Sequence, residues 1–143
     1  MGLDDPSQKM SKSIAAKKQS HAIALLDKPD VIKKTIMGAV TDAGGEIRFA
    51  TASPGVKNLL ILYEVLSGES QTAIESHFAG KGYGALKRDL VELVLNTLQP
   101  IQQKFYGLMD NEQGLNDLLN AGAAKASHIA NQTVADVRQL VGV

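Results

Sequence analysis

The sequence predicts a mainly α-helical chain, a bundle of five or six helices behind an irregular N-terminal arm, with room for one short strand. Three observations lead there. From Val56 onward apolar residues recur at intervals of three and four, which is the spacing of one face of a helix. Glycines and side chains suited to capping fall between those stretches, where helices should stop and restart. The first 20 residues show neither period and are interrupted by Gly2, Pro6, Ser7, Ser11, Ser13 and Ser20.

After the arm, Ala22 to Leu26 form a short apolar run suited to a buried strand. Asp27-Lys28-Pro29-Asp30 reads as a helix start, with Asp27 as cap and Pro29 in the first turn. Ile32, Ile36 and Val40 then give that helix one apolar face. Residues 41–55 are a loop holding Gly44, Gly45 and Ser53-Pro54-Gly55, with a short extended piece at 46–50. The helix from Val56 is apolar nearly all round and should be central, ending near Gly68. Ser70 can cap a short helix bearing Ile74 and Phe78. Gly80, Gly82 and Gly84 mark a turn around Tyr83. The next helix carries a stripe from Leu86 to Leu108, and Pro100 should kink or break it. Asn111 can cap another helix that stops at Gly122. A last helix would turn Ala126, Ala130, Val134, Val137 and Val141 inward.

Composition narrows the function classes. Hydrophobic residues make up 44% of the 143, enough for a packed core. No apolar run is long enough to cross a bilayer, and no membrane partner is expected. The absence of cysteine removes disulfides, thiolate metal sites and cysteine nucleophiles. A formal net charge of zero argues against a general nucleic-acid coat protein, and DNA is not an expected partner. Yet up to Lys34 seven lysines face only Asp4, Asp5, Asp27 and Asp30, so the cations gather at the N-terminal end.

Most polar constellations read as ordinary surface. His21, His77 and His128 lack any metal-type spacing and read as surface or packing residues. Asp4-Asp5 has no partner at a useful sequence spacing. Gly80-Lys81-Gly82-Tyr83-Gly84 opens a helix, where backbone N–H groups attract anions. No strand precedes it, however, and no Ser or Thr follows its lysine, so a turn between helices is the better reading. Lys81, Lys87 and Arg88 beside it are cations that could meet an RNA backbone.

Lys9-Met10-Ser11-Lys12-Ser13 stands apart. It sets two ammonium groups three residues apart around a hydroxyl on a segment without regular structure. Lysine supplies a flexible point charge for phosphate oxygens, and serine and backbone donors can satisfy the rest. Contacts that follow a departing pyrophosphate stabilise the transition state more than bound ATP, and so convert binding into rate.

These five residues, with Met1-Gly2-Leu3 and Pro6 before them, closely resemble the signature loop of bacterial-type tryptophanyl-tRNA synthetases, members of class I. Further landmarks follow in the family's order. They are Asp27-x-Pro29 with Ile32-Lys33-Lys34-x-Ile36, then Ala39-Val40-Thr41-Asp42, then Gly55-Val56-x-Asn58-Leu59-Leu60. Gly80-x-x-Tyr83-Gly84-x-Leu86-Lys87 and Gly122-Ala123-x-Lys125-Ala126 with Thr133, Val137 and Arg138 complete the set. The tyrosyl enzymes share the loop and are the alternative; a stand-alone helical RNA-binding module is another.

The resemblance implies an ATP-dependent ligase that activates tryptophan as the adenylate and transfers it to tRNA(Trp). Lys9 and Lys12 would be the catalytic cations, and Lys9, Met10, Ser11, Lys12 and Ser13 together the ATP-binding loop. It also implies Mg2+ with ATP as substrate, a homodimer and a cytoplasmic enzyme. Residues 1–27 would be a remnant of the catalytic nucleotide-binding fold, and residues 28–143 the helical, anticodon-binding domain. The family's His-x-Gly-His motif is missing; His77-Phe78-Ala79-Gly80 lacks the second histidine. The chain is therefore expected to be part of the enzyme, inactive alone, without bound cofactor, and with Lys9 and Lys12 on a mobile, exposed arm. Removing the rest of the fold should bare apolar surface near Leu25, Leu26 and the helix from Ile32.

Overall fold

The computed structural model describes residues 1–142, and among these the chain is helical and forms no strand. Six α-helices follow in order: α1 Lys12–Ala15, α2 Pro29–Met37, α3 Pro54–Ser67, α4 Gln71–His77, α5 Tyr83–Met109 and α6 Glu112–Val141. A 3-10 turn, Gln19–His21, lies between α1 and α2. By contacts the chain divides into two units, Met1–Gln102 and Gln103–Val143.

The first unit holds the core. α3 lays Val56, Leu59, Leu60 and Tyr63 into it, and α5 adds Leu86, Leu90, Val91, Val94 and Leu98. Ile32 and Ile36 of α2 and Ile74 of α4 are fully buried with them. Each such side chain contributes about 1.5–3 kcal/mol through removal of apolar area from water. Phe78 lies edge-on to Tyr63, with ring centroids 5.3 Å apart. Helix ends follow the sequence closely here. Gly68 closes α3 at φ 71°, a left-handed conformation that costs glycine little. Ser70 caps α4 by accepting from the Ala73 N–H.

The structure corrects several local expectations. Ala22 to Leu26 do not form a strand: Asp27 takes the Ala24 N–H on its carboxylate and its own N–H returns to the Ala24 carbonyl. With the Gln102 amide donating to the Leu25 carbonyl, these backbone groups are satisfied by a turn rather than a ladder. Asp27 therefore does not cap α2, whose N-cap is Lys28. Leu25 and Leu26 are exposed, whereas Ile32 is buried. Residues 46–50 are likewise not a strand; Ile47 and Phe49 reach the core from a loop.

The second unit consists of the end of α5 and all of α6. Asn111 caps α6 through the Gly114 N–H, as expected. The helix then runs past Gly122 to Val141 without a break, joining two expected helices into one. Gly122 costs about 1 kcal/mol against alanine but does not remove a hydrogen bond, so it weakens rather than stops the helix. Pro100 likewise leaves α5 continuous. No residue of α6 is buried, so the inward stripe expected from Ala126 to Val141 does not exist.

Candidate functional site

The Lys9-to-Ser13 segment sits where the arm turns into α1. Ser11 is the N-cap, its hydroxyl accepting from the Ile14 N–H at 3.3 Å. Lys12 and Ser13 thus belong to a helical turn, a regularity that the aperiodic sequence did not announce. Lys9 and Lys12 are exposed, Met10 is half-buried against the core, and among the described residues neither ammonium has an acidic partner.

The arm that leads to those lysines is hydrogen-bonded to the rest of the first unit. Leu3 is buried, its carbonyl accepting from the Val40 N–H and its N–H donating to the His21 carbonyl. The Asn58 amide donates to the Met1 and Gly2 carbonyls while its oxygen accepts from the Met1 nitrogen at 2.9 Å. Asp5 closes a turn on Ser7 and Gln8, and the Ser7 hydroxyl first, with the Ser7 N–H and Gln8 amide, holds its carboxyl below the usual range. His21 is buried, with Nδ1 2.6 Å from Asp4 Oδ1 and Nε2 3.2 Å from the Lys9 carbonyl oxygen. Lys18 grips the other oxygen of Asp4 at 2.7 Å and is the main cause of that carboxyl's lowered pKa; burial opposes it. The expected free arm is thus stitched to the body, while the Lys9 and Lys12 side chains extend from it without an acidic partner among the described residues.

Asn58, Asp4 and His21 were not legible as functional. Asn58 stood within a landmark string, but nothing in it showed which backbone the amide would hold. Asp4 and His21 lie 17 residues apart in a segment without period, so no spacing rule joins them.

The second group of candidate cations divides. Lys81 and Arg88 are exposed, Lys81 lying 5.6 Å from the Phe78 ring centroid. Beside Lys81 is a cleft of about 630 Å3, also lined by Arg48 and Glu75. Lys87 instead points inward, donating to the Ala39 carbonyl at 2.7 Å and to the Met37 carbonyl and Thr41 hydroxyl. Burial lowers its pKa, and its ammonium closes the end of α2 rather than facing solvent. Asp42 takes the Tyr83 hydroxyl at 2.8 Å and the Gly44 N–H. Its carboxyl is lowered, first by Ser53, whose buried hydroxyl forms no well-aligned bond and acts as a nearby dipole, then by Gly44 and Tyr83. The Thr41-Asp42 ending and the Gly80-to-Lys87 turn, distant in sequence, are therefore one contact.

Among the described residues no group of acidic or histidine side chains is placed to hold a metal ion, and no helix is long and apolar enough to cross a membrane. His77 meets Asp89 on the exposed surface, and His128 lies exposed on α6.

Residues 1–99 match the family described as tRNA synthetases class I (W and Y). A tryptophan–tRNA ligase of Listeria monocytogenes is 46% identical over the whole chain, and one of Helicobacter pylori is 47% identical; the chain spans 43% of the length of each. The crystal structure of tryptophanyl-tRNA synthetase from Campylobacter jejuni superposes on all of the chain with a TM-score of 0.74 at 26% identity, over 43% of its own length. That from Mycoplasma pneumoniae covers 73% of this chain and 33% of its own, with a TM-score of 0.64 at 38% identity. Sequence match, whole-chain relatives and fold agree, and the chain belongs to the class I tRNA synthetases of the tryptophan and tyrosine type.

Proposed function

We propose that this chain serves as part of a tryptophan–tRNA ligase, which activates tryptophan with ATP and transfers it to tRNA(Trp). One observation carries the reading: two exposed lysines without acidic partners among the described residues, on a hydrogen-bonded arm, within a chain similar to tryptophan–tRNA ligases along its whole length. Lys9 and Lys12 are the triphosphate-binding cations, with Lys12 on the departing pyrophosphate. Ser11 and Ser13 shape the loop, and Met10 anchors it by its apolar contact. As negative charge grows on the leaving oxygens, a fixed ammonium nearby lowers the barrier more than it tightens ATP binding. ATP enters as its Mg2+ complex.

Residues 1–27 belong to the nucleotide-binding part and residues 28–143 to the helical part that meets the anticodon arm. Lys81 and Arg88 offer their charges to tRNA phosphates there, while Lys87 shapes the turn that presents them. The working ligase is a cytoplasmic homodimer in this reading, and the chain alone carries out no adenylate formation.

The test joins this chain to the upstream part of the Listeria monocytogenes ligase and measures tryptophan-dependent exchange of pyrophosphate into ATP. Exchange by the hybrid, and its loss by at least about a hundredfold in Lys12→Ala, is the expected outcome for a charge acting on the transition state. A hybrid that exchanges equally well without the Lys12 ammonium rules the assignment out. For the RNA face, Lys81→Ala and Arg88→Ala should each lower the salt slope of tRNA binding by about one.

A further inference from the structure

The imidazole of His21 is buried within the arm, and an acceptor faces each of its nitrogens. Asp4 faces Nδ1 and the Lys9 carbonyl faces Nε2, at 2.6 and 3.2 Å. Gly2 leaves the space for the ring: a Cβ there would overlap His21 Cε1 and Nδ1. Lys18 holds the far oxygen of Asp4, and the His21 carbonyl accepts from Leu3. The ring therefore joins the start of the arm to the first residue of the Lys9-to-Ser13 loop.

We propose that His21, braced by Asp4, is a positioning residue for that loop. It fixes the Lys9 carbonyl, and with it the point from which the Lys9 side chain leaves and the entry into the Ser11 cap. This inference rests on the reading of Lys9 and Lys12 as triphosphate cations, because it explains how two flexible side chains start from set positions. An ionised carboxylate only accepts, so Nδ1 carries a proton. The Lys9 carbonyl also only accepts, so the second bond closes when Nε2 carries a proton too. A neutral ring would turn an acceptor lone pair toward that oxygen. The ring can thus hold both neighbours only as a double donor.

Two measurements separate positioning from simple packing. In the 15N-labelled chain, the His21 ring signals should report a proton on each ring nitrogen, and Asp4→Asn should move them. A ring protonated on only one nitrogen overturns the proposal. The second is limited tryptic digestion of the chain with His21 replaced by Phe, which keeps ring volume and removes both bonds. Cleavage after Lys9 and Lys12 should rise by about an order of magnitude, as the open population grows with loss of two ordinary hydrogen bonds. Cleavage after Lys81 should not change. Equal acceleration at all sites means global destabilisation, and no acceleration means the ring holds nothing; either result overturns the proposal.

In the hybrid ligase described above, His21→Phe should raise KM for ATP and slow exchange while leaving KM for tryptophan unchanged. If Lys12→Ala abolishes exchange and His21→Phe does not affect it, positioning fails and the ligase reading stands. If Lys12→Ala has no effect, the ligase reading fails and the digest still decides whether His21 holds the loop.

Discussion

The two units of this chain have similar apolar patterns and opposite fates. In Met1–Gln102 the stripes of α2, α3, α4 and α5 converge, and Ile32, Leu59, Leu60, Leu86 and Leu90 are all fully buried. In Gln103–Val143, Leu118, Leu119, Ile129, Val137 and Leu140 recur at equally good helical spacing and remain more than half exposed. Periodicity says which side of a helix is apolar; it does not say that another element is there to cover it. Burial has to come from tertiary structure, and only the first unit supplies it. The family match, residues 1–99, ends almost where that unit ends.

The contrast is best broken from the inside. Leu59→Ala removes a fully buried side chain from α3 and should lower unfolding free energy by about 2–5 kcal/mol, read by urea denaturation. A smaller loss would mean that the core is looser than its burial suggests. Next, Gly55→Ala should cost about 1–3 kcal/mol, because the new Cβ overlaps the Val40 carbonyl oxygen and α3 must shift. A neutral melting temperature would show that α3 has room to move.

Acid should act on the arm more gently. Asp4, held chiefly by Lys18, has a folded pKa below its unfolded value, so its contribution is present above about pH 3.9. That contribution disappears as pH falls through the lowered folded value. Tryptic-site exposure is not readable there, but pepsin cleavage within residues 1–21 should rise below pH 4 in the wild-type chain and change less in Asp4→Asn. The smallest effect belongs to the second unit: Leu140→Ser, 85% exposed, should move stability by less than about 0.5 kcal/mol in the same urea experiment. A large loss there would mean that α6 has a cover in solution.

Legibility in the sequence follows the same line. Helix-forming stretches, the caps Ser70 and Asn111 and the stop at Gly68 are local, and local chemistry sufficed to find them. Ala22 to Leu26 misled because a strand needs a partner that no short apolar run can announce. Gly122 misled because a single glycine lowers helix stability without preventing hydrogen bonding. The loop lysines were recognisable within a string of five residues, whereas the residues that hold the arm before it, Asp4, His21 and Asn58, act across separations of 12 to 57 residues. Lys87 carried the same signal as Arg88 next to it, and only three-dimensional packing could send one inward and leave the other in water.

That inward lysine makes the molecule its own folding gauge. An amine reacts with acylating reagents only when it is unprotonated and reachable, and Lys87 is enclosed with its hydrogens directed at the Ala39 and Met37 carbonyls. Its burial-lowered pKa would favour reaction, so any protection must come from enclosure rather than charge. Brief acetic anhydride treatment followed by peptide mass mapping should mark Lys9, Lys12 and Lys81 early and Lys87 last. The lag of Lys87 behind Lys81, six residues away, then measures how often the first unit opens. Simultaneous labelling of the two would mean that the seal over α2 is already broken.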